Sequence, residues 1–154
     1  MRIITVLILT LSLFATHAQE ISKQYDKIGR FSQGVAVVWK NGKCGLISQA
    51  GKEIIKPQYD RISSFGNDGL AYTWKNGLVG LVNIQGKEIV KNEYQKIGKF
   101  NGFYAITRKN GLAGMINKRG NVVIKNEYEK ITIHRNGVIR GVKDGKEVIL
   151  TIQN

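Results

Sequence analysis

The chain has 154 residues, with 24 Lys and Arg against 11 Asp and Glu, a formal net charge of +13 and a single cysteine. A single cysteine excludes an intramolecular disulfide, so the fold depends on a hydrophobic core of the size that one domain of this length can bury. The positive charge favours anionic partners, namely lipopolysaccharide, anionic lipid, acidic glycans or nucleic acid, although lysines scattered along a chain are also typical of a solvated surface.

Residues 1–18 predict a secretory signal peptide. Arg2 precedes an apolar run over 3–14, and Thr16-His17-Ala18 places small residues at the two positions that a cleavage site requires. The run is too short to span a bilayer comfortably, which favours removal over a retained N-terminal anchor. We expect a mature chain of residues 19–154, with a net charge of +12 once Arg2 is lost, in the periplasm or outside the cell.

Four tandem copies of one sequence unit follow, and internal repeats of this kind are typical of repeat architectures. The copies begin near Tyr25, Tyr59, Tyr94 and Tyr128, and the last is incomplete. In each copy an Ile comes three residues after the Tyr, and in the first three a Phe comes three residues later, a column that holds His134 in the fourth. We interpret this Tyr-x-x-Ile-x-x-Phe segment as a short strand or extended connector that packs between sheets.

A Lys-Asn-Gly triplet in the first three copies predicts a β-hairpin. It occurs at 40–42, 75–77 and 109–111, and becomes Lys-Asp-Gly at 143–145. Asn-Gly and Asp-Gly favour a two-residue type I′ turn, in which both central residues take positive φ. A second turn is predicted at Gly51, Gly86 and Gly120, before a third short strand.

These elements predict an all-β fold of tandem antiparallel β-meander repeats, each about 34 residues long. One meander cannot bury its own apolar face, whereas stacked copies can, so residues 19–154 are expected to form a single β-repeat domain. Ala36, Ala71 and Ala105 share a column that indicates close approach between layers. We expect an open β-solenoid-like array, with a small propeller-like arrangement as the alternative.

The composite pattern resembles the bacterial WG-repeat proteins, also called KWG-type repeats, over residues 25–154. The matching elements are Lys-Asn-Gly, x-Gly-Leu/Met-Ile/Val, Gly-Lys-Glu-Ile and Tyr-Asp-x-Ile-x-x-Phe. The chain departs from the family in lacking the Trp of the Trp-Gly pair, which is replaced by Cys44, Val79 and Ala113. The resemblance implies a repeat scaffold of exported or envelope-associated bacterial proteins and implies little chemistry.

Nothing in the sequence favours a catalytic or metal site, so neither an enzyme nor a cofactor is expected. A zinc site needs three or four suitably spaced ligands, whereas the mature chain offers one cysteine and one histidine far apart, Cys44 and His134. Cys44 shares a column with Val79 and Ala113, which predicts a small buried residue, and the position of His134 in the Phe column predicts packing. The acids that recur beside each Tyr are interpreted as partners for the recurring lysines.

We therefore expect an exported, non-catalytic scaffold that binds a protein or glycan partner in the bacterial envelope. The candidate partner-binding residues share columns at the hairpin tips: Trp39, Trp74 and Arg108, with Lys40, Lys75 and Lys109 beside them. An aromatic ring next to a cation suits stacking and contact with an anion. The alternative is that the tryptophans cover the edge of the core and the lysines keep the tips soluble.

The alternative function is a charge-driven binder of anionic polymers or of an anionic membrane surface. An exported protein has limited access to cytoplasmic nucleic acid, so nucleic acid is not expected as its partner. Salt separates the two functions, because binding driven by charge weakens steeply as the salt concentration rises.

Overall fold

The computed structural model describes residues 23–152, and the predicted signal peptide over 1–18 lies outside the described residues. Within this part of the chain, 15 strands form four antiparallel sheets in chain order. The all-β fold of tandem meander repeats is thereby confirmed. The described sheets close into no barrel, in keeping with the predicted open array.

Each sheet is one meander, and the strands are numbered in chain order. The first sheet contains β1 (Lys27–Ile28), β2 (Val35–Lys40), β3 (Lys43–Ser48) and β4 (Glu53–Tyr59). The second contains β5 (Arg61–Ile62), β6 (Leu70–Lys75), β7 (Leu78–Asn83) and β8 (Glu88–Tyr94). The third contains β9 (Lys96–Ile97), β10 (Tyr104–Lys109), β11 (Leu112–Asn117) and β12 (Val122–Tyr128). The fourth contains β13 (Lys130–Ile133), β14 (Ile139–Lys143) and β15 (Lys146–Leu150).

The hairpin turns adopt the backbone that their sequence demands. Asn41 has a φ of 51° and Gly42 a φ of 72°, and the equivalent pairs of the other copies, ending with Asp144 and Gly145, also have positive φ at both positions. Two consecutive positive φ values are the signature of the type I′ turn, which matches the twist of the flanking strands. The predicted hairpins are confirmed in all four copies.

The connector after each Tyr is a strand of the next sheet. Only Asp60 separates β4 from β5, so the chain leaves the first sheet and enters the second without a loop. The first three sheets therefore have four strands each, and of the two structures predicted for this segment, a short strand or an extended connector, the strand is the one observed. The local sequence does not decide between strand and connector because the strand is two residues long and is held by pairing with a distant partner, as Arg61 pairs with Trp74.

Hydrophobic clusters join consecutive sheets. One lies between the first and second sheets around Leu46 and Ala71, the next between the second and third around Leu81 and Ala105, and the last between the third and fourth around Met115. The Ala column is at most 1% exposed, as the predicted close approach requires. The predicted packing of His134 is wrong, because this residue lies exposed in the turn between β13 and β14.

Glycine at the third position of the second hairpin strand lets the last strand of the sheet cross closely. A Cβ built on Gly80 would lie 2.5 Å from the Val90 carbonyl oxygen, and one on Gly114 would lie 2.8 Å from that of Ile124. In the fourth sheet this column holds Val148, which pairs with Gly141. A valine side chain fills the space that a fourth strand of the same geometry would need, and the described part of that sheet has three strands.

A buried threonine and a half-buried asparagine hold the crossing strand in the second sheet. Thr73 is 1% exposed. The Asn92 side-chain amide donates to the backbone oxygen of Thr73 at 2.9 Å and to that of Leu78 at 3.1 Å. Thr107 and Asn126 form the equivalent pair in the third sheet.

Candidate functional site

The residue that follows each Tyr fixes the hairpin tip of its own sheet. The Asn41 amide donates to Asp26 Oδ2 at 2.7 Å, and the Asn76 amide donates to Asp60 Oδ2 at 2.8 Å. In the third copy the acceptor is the neutral side chain of Gln95, which takes a hydrogen bond of 2.7 Å from the Gly111 amide. The third hairpin tip is thus held without the carboxylate that the first two copies use.

The Trp and Lys of each tip lie on opposite faces of their sheet, because consecutive strand residues point to opposite sides. Trp39 packs in the cluster between the first and second sheets, and Trp74 packs in the cluster between the second and third. Lys75 points back to the first sheet, with its Nζ 5.8 Å from the centre of the Tyr59 ring, and Lys109 Nζ lies 5.5 Å from the Tyr94 ring.

The candidate residues are therefore brought together differently from the expectation. The Trp of one copy shares an inter-sheet space with the Lys of the next copy, rather than with the Lys beside it in sequence. Lys40, the last residue of β2, is exposed. Lys109 forms a salt bridge of 3.1 Å with Glu93.

Both tryptophans already carry a cation of their own chain. Lys27 pairs with Trp39 across β1 and β2, and its Nζ lies 5.0 Å from the ring centre. Arg61 pairs with Trp74, with its Cζ 3.7 Å from the ring centre. Half-buried rings covered by a cation favour a structural contribution of the two tryptophans, since cation–π contacts stabilise such pairs.

The third copy breaks this pattern. Lys96 pairs with Arg108 across β9 and β10, so two cations stand where the first two copies place a cation and a tryptophan. Like charges directly opposite each other in a sheet are destabilising. Arg108 is exposed, and its Nη1 donates to the Gly111 carbonyl oxygen at 2.6 Å.

A cavity of about 450 Å³ opens beside this pair, between the third and fourth sheets, and is called the third groove. Its polar lining comprises four cations, an amide, a phenol and a hydroxyl: Lys96, Lys99, Arg108, Lys130, Asn101, Tyr104 and Thr107. Its apolar lining includes Ile106, Ile131 and Ile133. No acidic residue lines it, and none of its four cations forms a salt bridge with another described residue.

The equivalent spaces between the other sheets differ in size and charge. The first groove has a volume of about 290 Å³ and is lined by Trp39 and Phe65, with Arg30 as its one cation. Between the second and third sheets, Tyr72 fills the corresponding position and donates from its hydroxyl to the Gly98 carbonyl oxygen at 2.8 Å. The third groove is thus the larger and more basic of the two cavities, and its Arg108 takes the position that Trp39 holds in the first.

Sequence reasoning identified Arg108 but missed Lys96, Lys99 and Lys130. The signal was a second column, Lys27, Arg61, Lys96 and Lys130, which recurs two residues after each Tyr. To predict that this column lies opposite the Trp column, one needs the register between β9 and β10, which the sequence alone does not give.

The described residues offer little for covalent or metal chemistry. Burial raises the pKa of the Cys44 thiol, which is 1% exposed, so its nucleophilic thiolate is disfavoured. Over residues 23–152 no three His, Cys, Asp or Glu side chains are grouped as a metal ion would require. No helix in the same part of the chain is long and apolar enough to cross a membrane.

Comparison with known proteins identifies the repeat. A family model described as WG containing repeat matches residues 19–44, 45–78, 80–112 and 114–146. The second match begins at Gly45 and ends at Leu78, so one family repeat takes the last strands of one sheet and the first strands of the next.

The chain has little similarity to curated proteins or to solved structures. No curated protein matches the chain. Among solved structures, the WD40 β-propeller domain of Doa1 is 14% identical, with 79% of this chain and 52% of that chain covered and a TM-score of 0.32. The chain thus spans about half the length of that structure. The four family matches extend over most of the sequence, and the chain therefore belongs to the WG containing repeat family.

Proposed function

We propose that the protein is an exported, non-catalytic scaffold that binds an anionic protein or glycan partner in the bacterial envelope. A family of repeats suggests a binding scaffold, because stacked copies present the same position many times along one surface. The observation that carries the anionic specificity is the third groove, which is lined by four cations and by no acidic residue.

The non-catalytic part of the proposal is supported by two side chains. Cys44 is buried with a raised pKa, which disfavours a nucleophile. His134 lies exposed in a turn, in the fourth copy, while Cys44 lies in the first, so the two are not positioned as a nucleophile and its base.

Export is supported by the sequence over residues 1–18 and by the start of the first family match at residue 19. Mass spectrometry of the protein recovered from the periplasm or medium of the producing cells tests it. An N-terminus at Gln19 supports cleavage after Ala18, and recovery of the intact chain in the membrane fraction would refute it.

A second candidate function is binding of anionic polymers or an anionic membrane by charge alone. It is favoured by the net charge of +13 and by exposed lysines in every copy, such as Lys40, Lys91, Lys125 and Lys146. Such binding would involve the whole surface rather than one groove, and each neutralised lysine would weaken it by a similar amount.

The test is capture of envelope components on immobilised protein, residues 19–154, followed by elution with a salt gradient. Recovery of a discrete protein or glycan that stays bound at high salt would support the scaffold. Broad recovery of anionic material that is lost at moderate salt would support the charge-driven alternative, because counterion release makes such binding strongly salt-dependent.

A further inference from the structure

We infer that the third groove binds an acidic sugar residue, whose anionic group lies between Lys96 and Arg108. This inference rests on the proposed function and names the chemical class of its ligand. It assigns the site to one groove, between the third and fourth sheets, rather than to the hairpin tips of every copy.

The cross-strand pair of Lys96 and Arg108 favours binding of an anion. Lys96 and Arg108 are directly opposite in the register of β9 and β10. Nothing described within the chain neutralises them by a salt bridge. A carboxylate or phosphate between them would convert a repulsive pair into two charge-assisted hydrogen bonds, and a guanidinium is suited to such groups by its planar fork.

The surroundings of the pair reinforce the positive potential. Lys99 and Lys130 line the same cavity, from the third and fourth sheets respectively. The third copy also has neutral Gln95 where the first two copies have Asp26 and Asp60. Two substitutions relative to the first two copies, Arg for Trp at 108 and Gln for Asp at 95, both make this site more basic, and its cavity is larger than the first groove.

The remaining lining favours a sugar ring over a bare anion. The cavity of about 450 Å³ falls in the size range of small-ligand sites. Tyr104 and Asn101 offer a hydroxyl and an amide that can exchange hydrogen bonds with sugar hydroxyls, and Ile106 and Ile131 offer an apolar wall for the face of a ring. Inorganic phosphate would satisfy the cations but would leave this wall without a partner.

The test is titration of the chain with a short oligomer of galacturonic acid and with its methyl ester, followed by calorimetry at physiological salt. The ester keeps the sugar rings and loses the charge. We expect the acid to bind, and the ester and inorganic phosphate each to bind about tenfold more weakly or worse. Equal binding of phosphate and acid would overturn the assignment to a sugar.

Two variants locate the site. Arg108→Trp restores the residue type of the first two copies, and Lys96→Gln removes the opposing charge while keeping a polar side chain of similar length. Each is expected to weaken binding of the acid about tenfold, whereas Lys91→Gln, an exposed lysine of β8 with the same change in charge, is expected to leave binding within about twofold. An equal loss in the Lys91 variant would overturn the groove as the site.

Unfolding curves of each variant guard against trivial loss of structure. A variant that unfolds is replaced by Lys130→Gln, on the fourth sheet, which must then show the weakened binding. Capture of envelope components is repeated with Arg108→Trp. If that variant still retains a discrete envelope partner at high salt, the scaffold stands and the third groove is not its site.

Discussion

Lys96 lies directly opposite Arg108 in the third sheet, at the pair of positions where Lys27 lies opposite Trp39 in the first. The two strand pairs have the same register, yet one places a cation over a ring and the other places two cations opposite each other. The array therefore holds its fold with the columns that all copies share and varies at single positions between them. The variation concentrates positive charge at one site.

Arg108→Trp is expected to stabilise the protein, by about 0.5–1 kcal/mol in the free energy of unfolding, because it replaces repulsion with a cation–π contact. Urea unfolding at low salt measures this gain, and added salt should reduce it because the repulsion is screened. Arg135→Trp, in an exposed turn, is the matched control and should change the free energy by less than about 0.5 kcal/mol. Loss of stability in the Arg108 variant would contradict the interpretation of the pair.

Gly80→Ala is expected to destabilise the protein by about 2–3 kcal/mol, because the new Cβ would lie 2.5 Å from the Val90 carbonyl oxygen and neither backbone can move freely. Thermal and urea unfolding measure the effect. Asn67→Ala, in the exposed loop of the same sheet, should be nearly neutral. A stable Gly80 variant would show that β8 can shift outward from β7.

Asn92→Ala is expected to cost about 1–3 kcal/mol, since the backbone oxygens of Thr73 and Leu78 lose the donor that satisfies them. In the first sheet, Val38 and Pro57 occupy the positions equivalent to Thr73 and Asn92. The double variant Thr73→Val with Asn92→Pro should therefore be more stable than Asn92→Ala in urea unfolding. A double variant less stable than the single one would mean that the two solutions cannot be exchanged between sheets.

Asp60 is expected to make stability depend on acid. The hydrogen bond from Lys43, followed by that from the Asn76 amide, lowers the pKa of Asp60 below its ordinary 3.8. A lowered folded-state pKa contributes stability that is fully present above 3.8 and is lost as the pH falls through the lowered value.

Asp60→Asn should accordingly flatten the fall in unfolding temperature below about pH 4. Asp144→Asn, which keeps a residue suited to positive φ in the last hairpin turn, serves as the control with the same loss of charge. The same slope in wild type and the Asp60 variant would show that this carboxylate is not the source of the acid sensitivity.

The turns and the buried columns could be predicted from the sequence because their causes are local. Asn41-Gly42 specifies its own backbone, and the Ala and Cys columns repeat at fixed spacing. For the segment that forms β5 the sequence left a short strand and an extended connector open, since this two-residue strand exists only by pairing with β6.

The same limit applies to the site. The tip residues were found by their columns, but their facing depends on strand alternation, which separates Trp74 from Lys75 and joins Lys75 to Tyr59 of the preceding sheet. The third groove depends in addition on cross-strand register, which places Lys96 beside Arg108. Contacts between residues of different columns therefore could not be predicted by comparing the residues within one column.

The side chain of Val148 determines which copies of the array can be duplicated without a steric clash. A tandem duplication of the third copy would carry Gly114 with it and would supply another sheet able to accept a crossing strand. A duplication of the fourth copy would carry Val148 instead and would clash at the first crossing, unless valine were replaced by glycine. Duplication of the third copy is thus compatible with further stacking. Duplication of the fourth copy requires the additional substitution Val148→Gly.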